Sequence, residues 1–310
     1  MPAPPPLQSL SPFPRILFSV LLIIVCSLSL FLTGLLLALP LFGWGVGEVM
    51  DLLSDYTNPE ATGILKYFQA IQELGIFIIP PVLAAYLFSG KPLRYLGLHD
   101  FSSWKAWLLT VILMVVSVPC VDLTIRWNES MALPEWLSGV ETWMKETEAQ
   151  AFQLTETFLD VHTAGGFLFT FLLIALLPAI GEELLFRGLL QRLFREWFGN
   201  IHVAILVTGF LFGAMHLQFY GILPRTLLGI LFGYLFYWSG SLWIHILAHF
   251  VNNAAAVTIS FLEKQGWISD GLTGTEIPHR FFLVLSSLVF TALLLWVFRY
   301  LTRMRIREGD

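Results

Sequence analysis

The apolar residues of this 310-residue chain form long runs, and polar segments separate these runs. A bilayer core about 30 Å thick is crossed by an α-helix of about 20 mostly apolar residues. Windows of that length predict eight spans, near 16–42, 68–90, 105–125, 163–186, 201–219, 224–239, 242–262 and 281–300. The pattern therefore predicts an all-α polytopic membrane protein, with about eight transmembrane helices in one bundle.

Composition agrees with this class and excludes others. Hydrophobic residues make up 56% of the chain and charged residues 13%, against about 25% charged residues in soluble domains. The net charge of −5 leaves no basic surface for nucleic acid. Cys26 and Cys120 both fall in apolar runs, so we expect neither a disulfide framework nor a CxxC metal site.

The charges between the spans predict the orientation of the bundle. The connection 43–63 has four acidic residues and no Lys or Arg, and 126–160 has seven acidic residues against Arg126 and Lys145. Basic residues are in excess in the alternate connections and in the C-terminal tail, and Arg225 is the exception. This alternation predicts that both termini lie in the cytoplasm.

The chain divides into four regions on this pattern. They are a Pro-rich cytoplasmic tail (1–15), N-terminal transmembrane helices (16–162), the helices that carry the polar motifs (163–262), and the last transmembrane helix with a basic tail (263–310). The run 16–42 is longer than the 7–15 residues of a signal-peptide core, so we expect it to be retained. The loop 126–160 mixes Trp with acids, which predicts one or two amphipathic helices at the membrane surface, acting as a passive cap or as a substrate gate.

Two glutamates and an arginine interrupt the fourth span, in the sequence GEELLFR at 181–187. An ionisable side chain at the bilayer centre costs about 2.5–3.5 kcal/mol on insertion scales and is usually functional. Glu183 and Arg187 are spaced i, i+4 and can pair, whereas Glu182 is rotated about 100° away and lacks that partner. Pro178, four residues before Glu182, predicts a kink or an opened helical turn.

The next two spans carry candidate partners for Glu182. If the chain turns near 198–200, Glu182 lies 17 residues before position 199 and His216 lies 17 after it, so both occupy the same height in an antiparallel helical pair. This requires the helix of Glu182 to continue toward Trp197. In the seventh span, His249 and Asn253 are spaced i, i+4, and the role of His245 is left open.

Two kinds of chemistry fit these side chains. A carboxylate beside an imidazole in a water-poor pocket can act as a general base, and a second imidazole with a carboxamide can stabilise an oxyanion. That set would hydrolyse an amide with activated water, and no GxSxG nucleophile motif is present. In the alternative, Glu182, His216 and His249 bind zinc as a His₂Glu set, although HExxH is absent.

Three motifs carry a resemblance to a known family: EE-x-x-x-R at 182–187, F-x-x-x-H at 212–216 and H-x-x-x-N at 249–253. Together they resemble the CAAX-protease and bacteriocin-processing (CPBP, or Abi) family of intramembrane proteases. The resemblance implies an eight-helix bundle with Glu182 as the water-activating base, assisted by His216. It further implies an oxyanion hole formed by His249 and Asn253. Supporting roles fall to Glu183, Arg187 and Phe212.

We therefore expect an integral membrane endopeptidase, dependent on glutamate or on a metal, that acts on a peptide or membrane-protein substrate. Compact length and acidic loops favour a bacterial inner membrane and argue against a prenylated substrate. No cofactor is required in the metal-free mechanism, and zinc is the alternative. The rival functions are a non-catalytic immunity or scaffold protein of the same fold and a proton-coupled transporter, for which repeated halves are expected but not found.

Overall fold

The computed structural model describes residues 5–56, 58–268 and 280–308, and the regular structure in these ranges is helical throughout. The helices are α1 (Pro12–Phe42), α2 (Val46–Ser54), α3 (Ala61–Ser89), α4 (Pro92–Leu96), α5 (Trp104–Glu129), α6 (Ser138–Leu159), α7 (Ala164–Phe198), α8 (Ile201–Ala214), α9 (Ile222–Ser239), α10 (Leu242–Lys264) and α11 (Arg280–Glu308). Short 3₁₀ turns at Glu135–Leu137 and Phe219–Gly221 precede α6 and α9.

The predicted all-α polytopic class is confirmed. Within the described ranges, seven helices are long and apolar enough to cross a membrane, namely α1, α3, α5, α7, α9, α10 and α11. The eighth predicted span, 201–219, is the shorter apolar helix α8, which has 14 residues and ends at Ala214. The chain then turns through Leu217, whose φ of +53° is incompatible with a continuing right-handed helix.

The predicted continuation of the fourth span is also confirmed. Helix α7 runs for 35 residues, through its basic end, to Phe198. Gly199 follows in the left-handed conformation with φ +64°, and Asn200 caps α8 by accepting a hydrogen bond from the backbone N–H of His202 at 2.9 Å. The two helices therefore form a hairpin with its turn at the predicted position.

Helices α3 and α7 are not uniform. A π-helical segment begins at Glu73 in α3 and covers Glu73–Ile78, and two such segments in α7 cover Phe171–Leu176 and Leu184–Leu190. π-Helical turns are rare and often occur at functional sites. The two in α7 flank the α-helical turn that carries Glu182.

The apolar core lies where α7 meets α1, α3 and α8. Its largest cluster joins Ile16, Phe77, Phe88, Leu185, Phe186, Leu189, Leu193 and Phe212. All of these side chains are almost fully removed from solvent and lipid. The middle of α7 is therefore a buried element of the bundle rather than a lipid-facing span.

The predicted amphipathic segment is one long helix, α6. Its aromatic residues Trp143 and Phe152 are exposed, whereas Phe158 is buried against Ala61 and Leu65 of α3. Exposed aromatic rings beside acidic residues are typical of a helix at a membrane surface. Its position at the membrane surface stays a prediction.

The described part of the predicted N-terminal tail packs against the bundle. Helix α1 begins at Pro12 rather than at 16, and Leu7 donates a backbone hydrogen bond of 3.1 Å to the carbonyl of Leu87 in α3. Residues 5–11 therefore lie against the bundle. Residues 1–4 of the predicted tail, and 269–279 and 309–310 of the last predicted region, are outside the described residues.

The connection between α4 and α5 holds the start of α10. The backbone N–H of Leu242 donates to the carbonyl of Gly97 at 2.9 Å, and the Trp243 indole donates to the carbonyl of Leu98 at 2.9 Å. The hydroxyl of Ser241 donates to the carbonyl of Asp100. Because α10 carries the histidine motif, these bonds fix where that motif enters the bundle.

Candidate active site

A fully buried ion pair lies at the centre of the bundle. Arg187 Nη1 is 2.6 Å from Glu183 Oε1, and neither side chain has any exposed surface. Arg187 Nη2 also donates to the carbonyl of Gly229 in α9 at 2.9 Å, and its guanidinium lies 4.6 Å from the ring centroid of Phe212. The predicted i, i+4 pair is thus present, and the extra hydrogen bond and the aromatic ring offset the cost of burying the charges.

His249 lies between two carboxylates. Its Nδ1 is 2.9 Å from Glu183 Oε1, and because a carboxylate only accepts, Nδ1–H is the donor. Its Nε2 is 3.9 Å from Glu182 Oε2. The Glu183 bond therefore fixes the orientation of the imidazole and directs Nε2 toward Glu182, as a carboxylate partner does for many functional histidines.

Glu182 has the less satisfied carboxyl group of the two. Its side chain is buried, and among the described residues its Oε2 has no hydrogen-bond partner. Buried polar atoms in folded proteins are nearly always paired, and a missing partner requires an explanation. A carboxylate kept free beside an imidazole is the arrangement expected of a group that binds and moves a proton.

The structure places His216 in the turn after α8 rather than within a span. Its Nδ1 lies 2.9 Å from the carbonyl of Phe212, to which it donates, and this leaves Nε2 as an acceptor. The Phe212 ring contacts both imidazoles, with centroid distances of 5.4 Å to His216 and 5.6 Å to His249. Both histidines therefore pack on one aromatic side chain, while a direct pairing of His216 with Glu182 stays a prediction.

Asn253 binds to the opened part of α7. Its Nδ2 donates to the carbonyl of Ile174 at 3.4 Å, and its Oδ1 accepts a hydrogen bond from Asn252 at 3.3 Å. Pro178 has no N–H to offer the carbonyl four residues earlier, which is that of Ile174. The proline therefore leaves an acceptor in the helix for Asn253, and the second Nδ2 hydrogen remains for another ligand.

The zinc alternative fits the geometry poorly. Across the described ranges, no group of three or more His, Cys, Asp or Glu side chains is arranged to hold a metal ion. Glu182, His216 and His249 were the predicted ligands, and they do not form such a group. We therefore derive no step through a metal.

Two further buried residues belong to this centre. His245 is fully buried with Nε2 3.8 Å from Glu183 Oε2, which gives a place to a residue that the sequence left open. Glu73 of α3 is 3% exposed and lies against Gly181, and it belongs to none of the three sequence motifs. A single acid inside an apolar span was the available signal.

A cavity of about 860 Å³ lies beside the centre. Residues of α5, α6, α9 and α10 line it, among them Glu148, Arg225 and Asn252. Asn252 is the neighbour and hydrogen-bond donor of Asn253, so the cavity adjoins the predicted oxyanion group.

The fold and these side chains define an all-α polytopic membrane protein with a buried glutamate–histidine centre. Residues 164–255 match the family described as Rce1-like, type II CAAX prenyl endopeptidase. This match supports the CAAX-protease (CPBP) family that the three motifs predicted. The matched segment includes every residue of those motifs. Searches of curated proteins and of solved structures found no match.

Proposed function

We propose that this protein is an intramembrane endopeptidase that hydrolyses a peptide bond with water activated by Glu182. The observation that carries the proposal is the buried row Glu182–His249–Glu183–Arg187, in which an unpaired carboxyl oxygen and an oriented imidazole nitrogen lie 3.9 Å apart. We further place the protein in a bacterial inner membrane, with a peptide or membrane-protein segment as substrate.

The reaction needs a base, an oxyanion site and a proton for the leaving amine. Glu182 takes one proton from water while the water oxygen bonds to the carbonyl carbon, and His216 Nε2 accepts a hydrogen bond from the same water. Glu182 then gives that proton to the amine nitrogen as the C–N bond breaks. Both products are formed without a covalent intermediate on the enzyme.

The developing oxyanion is stabilised from α10. Asn253 contributes the Nδ2 hydrogen that Ile174 does not use. His249 contributes Nε2–H in its imidazolium form, because its Nδ1–H is held by Glu183 and a neutral ring would have no hydrogen on Nε2. Glu183 stabilises that cation, and removing an oxyanion donor typically lowers kcat by about 10²–10³-fold.

The cavity beside Asn252 supplies the route to this centre. Its lining combines Lys145 and Glu148 of α6 and Arg225 of α9 with apolar side chains, so it can hold a peptide segment that has both polar and apolar groups. Because α6 forms one of its walls, movement of that helix would open or close the route. This is the gating role that the sequence left as an alternative to a passive cap.

The test is cleavage of a peptide library by purified protein in proteoliposomes. Glu182→Gln should abolish cleavage while the protein stays folded, and Glu196→Gln, which changes an exposed carboxylate near the end of the same helix, should leave it unchanged. Folded His249→Ala should be inactive. Equal cleavage by wild type and Glu182→Gln would overturn the assigned base, and full activity of His249→Ala would remove it from the oxyanion site.

A further inference from the structure

Glu73 is a buried acid in a membrane-spanning helix that the reaction above does not use. It is the first residue of the π-helical segment of α3, and its side chain is 3% exposed. Oε1 accepts a hydrogen bond of 3.1 Å from Gln69 Nε2, whereas Oε2 is buried and has no hydrogen-bond partner in the described part of the chain. An ionisable residue in such a position marks function more often than structure.

The glycine of the GEE motif brings Glu73 to the active site. A Cβ at Gly181 would lie 2.9 Å from Phe77 Cβ and 3.3 Å from Glu73 Oε2. Gly181 thus allows α3 to approach α7 at the residue that precedes Glu182. The unpaired oxygen of Glu73 therefore points at the backbone that carries the proposed base.

Glu182 also has a carboxyl oxygen that lacks a hydrogen-bond partner. Its Oε2 is likewise buried without a hydrogen-bond partner in the described residues, and its charge interacts with Glu73 electrostatically. Two carboxylates close together repel each other in a medium of low dielectric constant. If one of them carries a proton, the O–H can satisfy the other, directly or through one water.

The surroundings decide which carboxyl holds that proton. Gln69, on the same helix as Glu73, is neutral, and α1 meets the segment at Gly75 with the backbone of Cys26 and Ser27. From α7, Gly181 lies against it and the next residue, Glu182, acts on it electrostatically. Glu182 also has His249 Nε2 at 3.9 Å. Glu182 is the better site for the negative charge, because a nearby imidazolium stabilises a carboxylate.

We propose that Glu73 is a positioning residue of the active site, a neutral carboxylic acid that donates a hydrogen bond toward the Glu182 carboxylate so that the pair carries one negative charge. This inference rests on the proposed function of Glu182. In the reaction, Glu73 keeps its proton throughout. It fixes one oxygen of Glu182 and leaves the other for water.

The test compares two substitutions of Glu73 in the full-length protein. Glu73→Gln keeps a neutral hydrogen-bond donor, so kcat/KM at the pH optimum should stay within about threefold of wild type. Glu73→Leu removes the donor and should lower kcat by about 10–100-fold, as loss of a supporting hydrogen bond does at other sites. In wild type, ionisation of Glu73 at high pH adds a second charge beside Glu182 and ends activity. Glu73→Gln should therefore lose the alkaline limb of the pH profile.

A matched control comes from the same helix. Lys66 is also buried in α3 and donates to Thr170 Oγ1 at 2.9 Å, two turns from Glu73. Lys66→Met should change stability without changing the shape of the pH profile. If Glu73→Leu does not fold, the Gln variant decides the matter, because an unchanged alkaline limb in that variant overturns the proposal.

A second readout does not need activity. A protonated carboxyl group gives an infrared band that shifts in D₂O, and we expect Glu73→Gln to remove such a band from the resting protein while Glu182→Gln retains one. If Glu73→Gln keeps every such band of the wild type, the proposal is overturned. If wild type and Glu182→Gln cleave alike, the proposed function of Glu182 fails. If Glu182→Gln is inactive but both Glu73 variants behave as wild type, only the role proposed for Glu73 fails.

Discussion

The Glu183 carboxylate and the His249 imidazole are joined by a 2.9 Å hydrogen bond that links α7 to α10 inside the bundle. The same Glu183 oxygen accepts a hydrogen bond from Arg187 at 2.6 Å. One atom therefore satisfies a buried cation and orients a functional imidazole. Any change to Glu183 should act on stability and on catalysis together.

Glu183→Gln should lower the free energy of unfolding by about 3–5 kcal/mol, because it leaves the buried Arg187 without a counter-charge. Denaturant or thermal unfolding in detergent would measure this loss, and cleavage would fall with it. Asp122→Asn is the matched control, because Asp122 and Arg126 form an i, i+4 pair on a partly exposed face of α5, where about 0–1 kcal/mol is expected. Equal losses for both substitutions would contradict this account.

Pro178→Ala restores a backbone N–H that competes with Asn253 for the carbonyl of Ile174. We expect a several-fold decrease in kcat with little loss of stability, since alanine favours a continuous helix. Pro119→Ala, which changes a proline inside α5, is the control and should not affect cleavage. Unchanged kcat in Pro178→Ala would show that the Ile174 carbonyl does not position Asn253.

Gly181→Ala places a methyl group against Phe77, where the available distance is only 2.9 Å. Overpacking of this kind typically costs about 1–3 kcal/mol, and it should separate α3 from α7 and reduce activity. Gly165→Ala adds the same methyl group near the start of α7, where no atom lies within 4 Å, and should be neutral. A lower melting temperature for Gly165→Ala than for Gly181→Ala would contradict the close approach.

Chelation distinguishes the two chemistries that the motifs allow. Because the proposed steps use only Glu182, His216, His249 and Asn253, we expect purified protein to keep its activity after treatment with EDTA or phenanthroline. Metal analysis of the same sample provides the control for complete removal. Loss of activity that zinc restores would instead favour the metal-dependent alternative.

The sequence was informative wherever a local rule determines structure. Apolar runs predicted the spans, and the i, i+4 spacing predicted the Glu183–Arg187 pair, because both follow from the geometry of one helix. The turn at Gly199 followed from residues that commonly end helices. The match to the CAAX-protease family confirmed what the three motifs suggested.

Contacts between helices were harder to predict. The hairpin count assumed the same rise per residue on both sides of the turn, but α7 contains a π-helical segment at Leu184–Leu190 and α8 ends before His216. Glu73 was missed because its importance depends on the packing of α3 against Gly181, which helical periodicity does not encode. The loss of an ordinary helical hydrogen bond at Pro178 was predictable, but its replacement by Asn253 was not.

The start of α10 donates hydrogen bonds to the carbonyls of Gly97 and Leu98, which connects it to an earlier part of the chain. The segment that matches the protease family begins at residue 164, yet the helix with His249 is anchored by backbone carbonyls that lie well before it. The matched segment therefore makes backbone contacts with its upstream half, and we expect it to need that half when it is moved into another protein. In this chain, the region before the matched segment holds the helix that carries His249 in register.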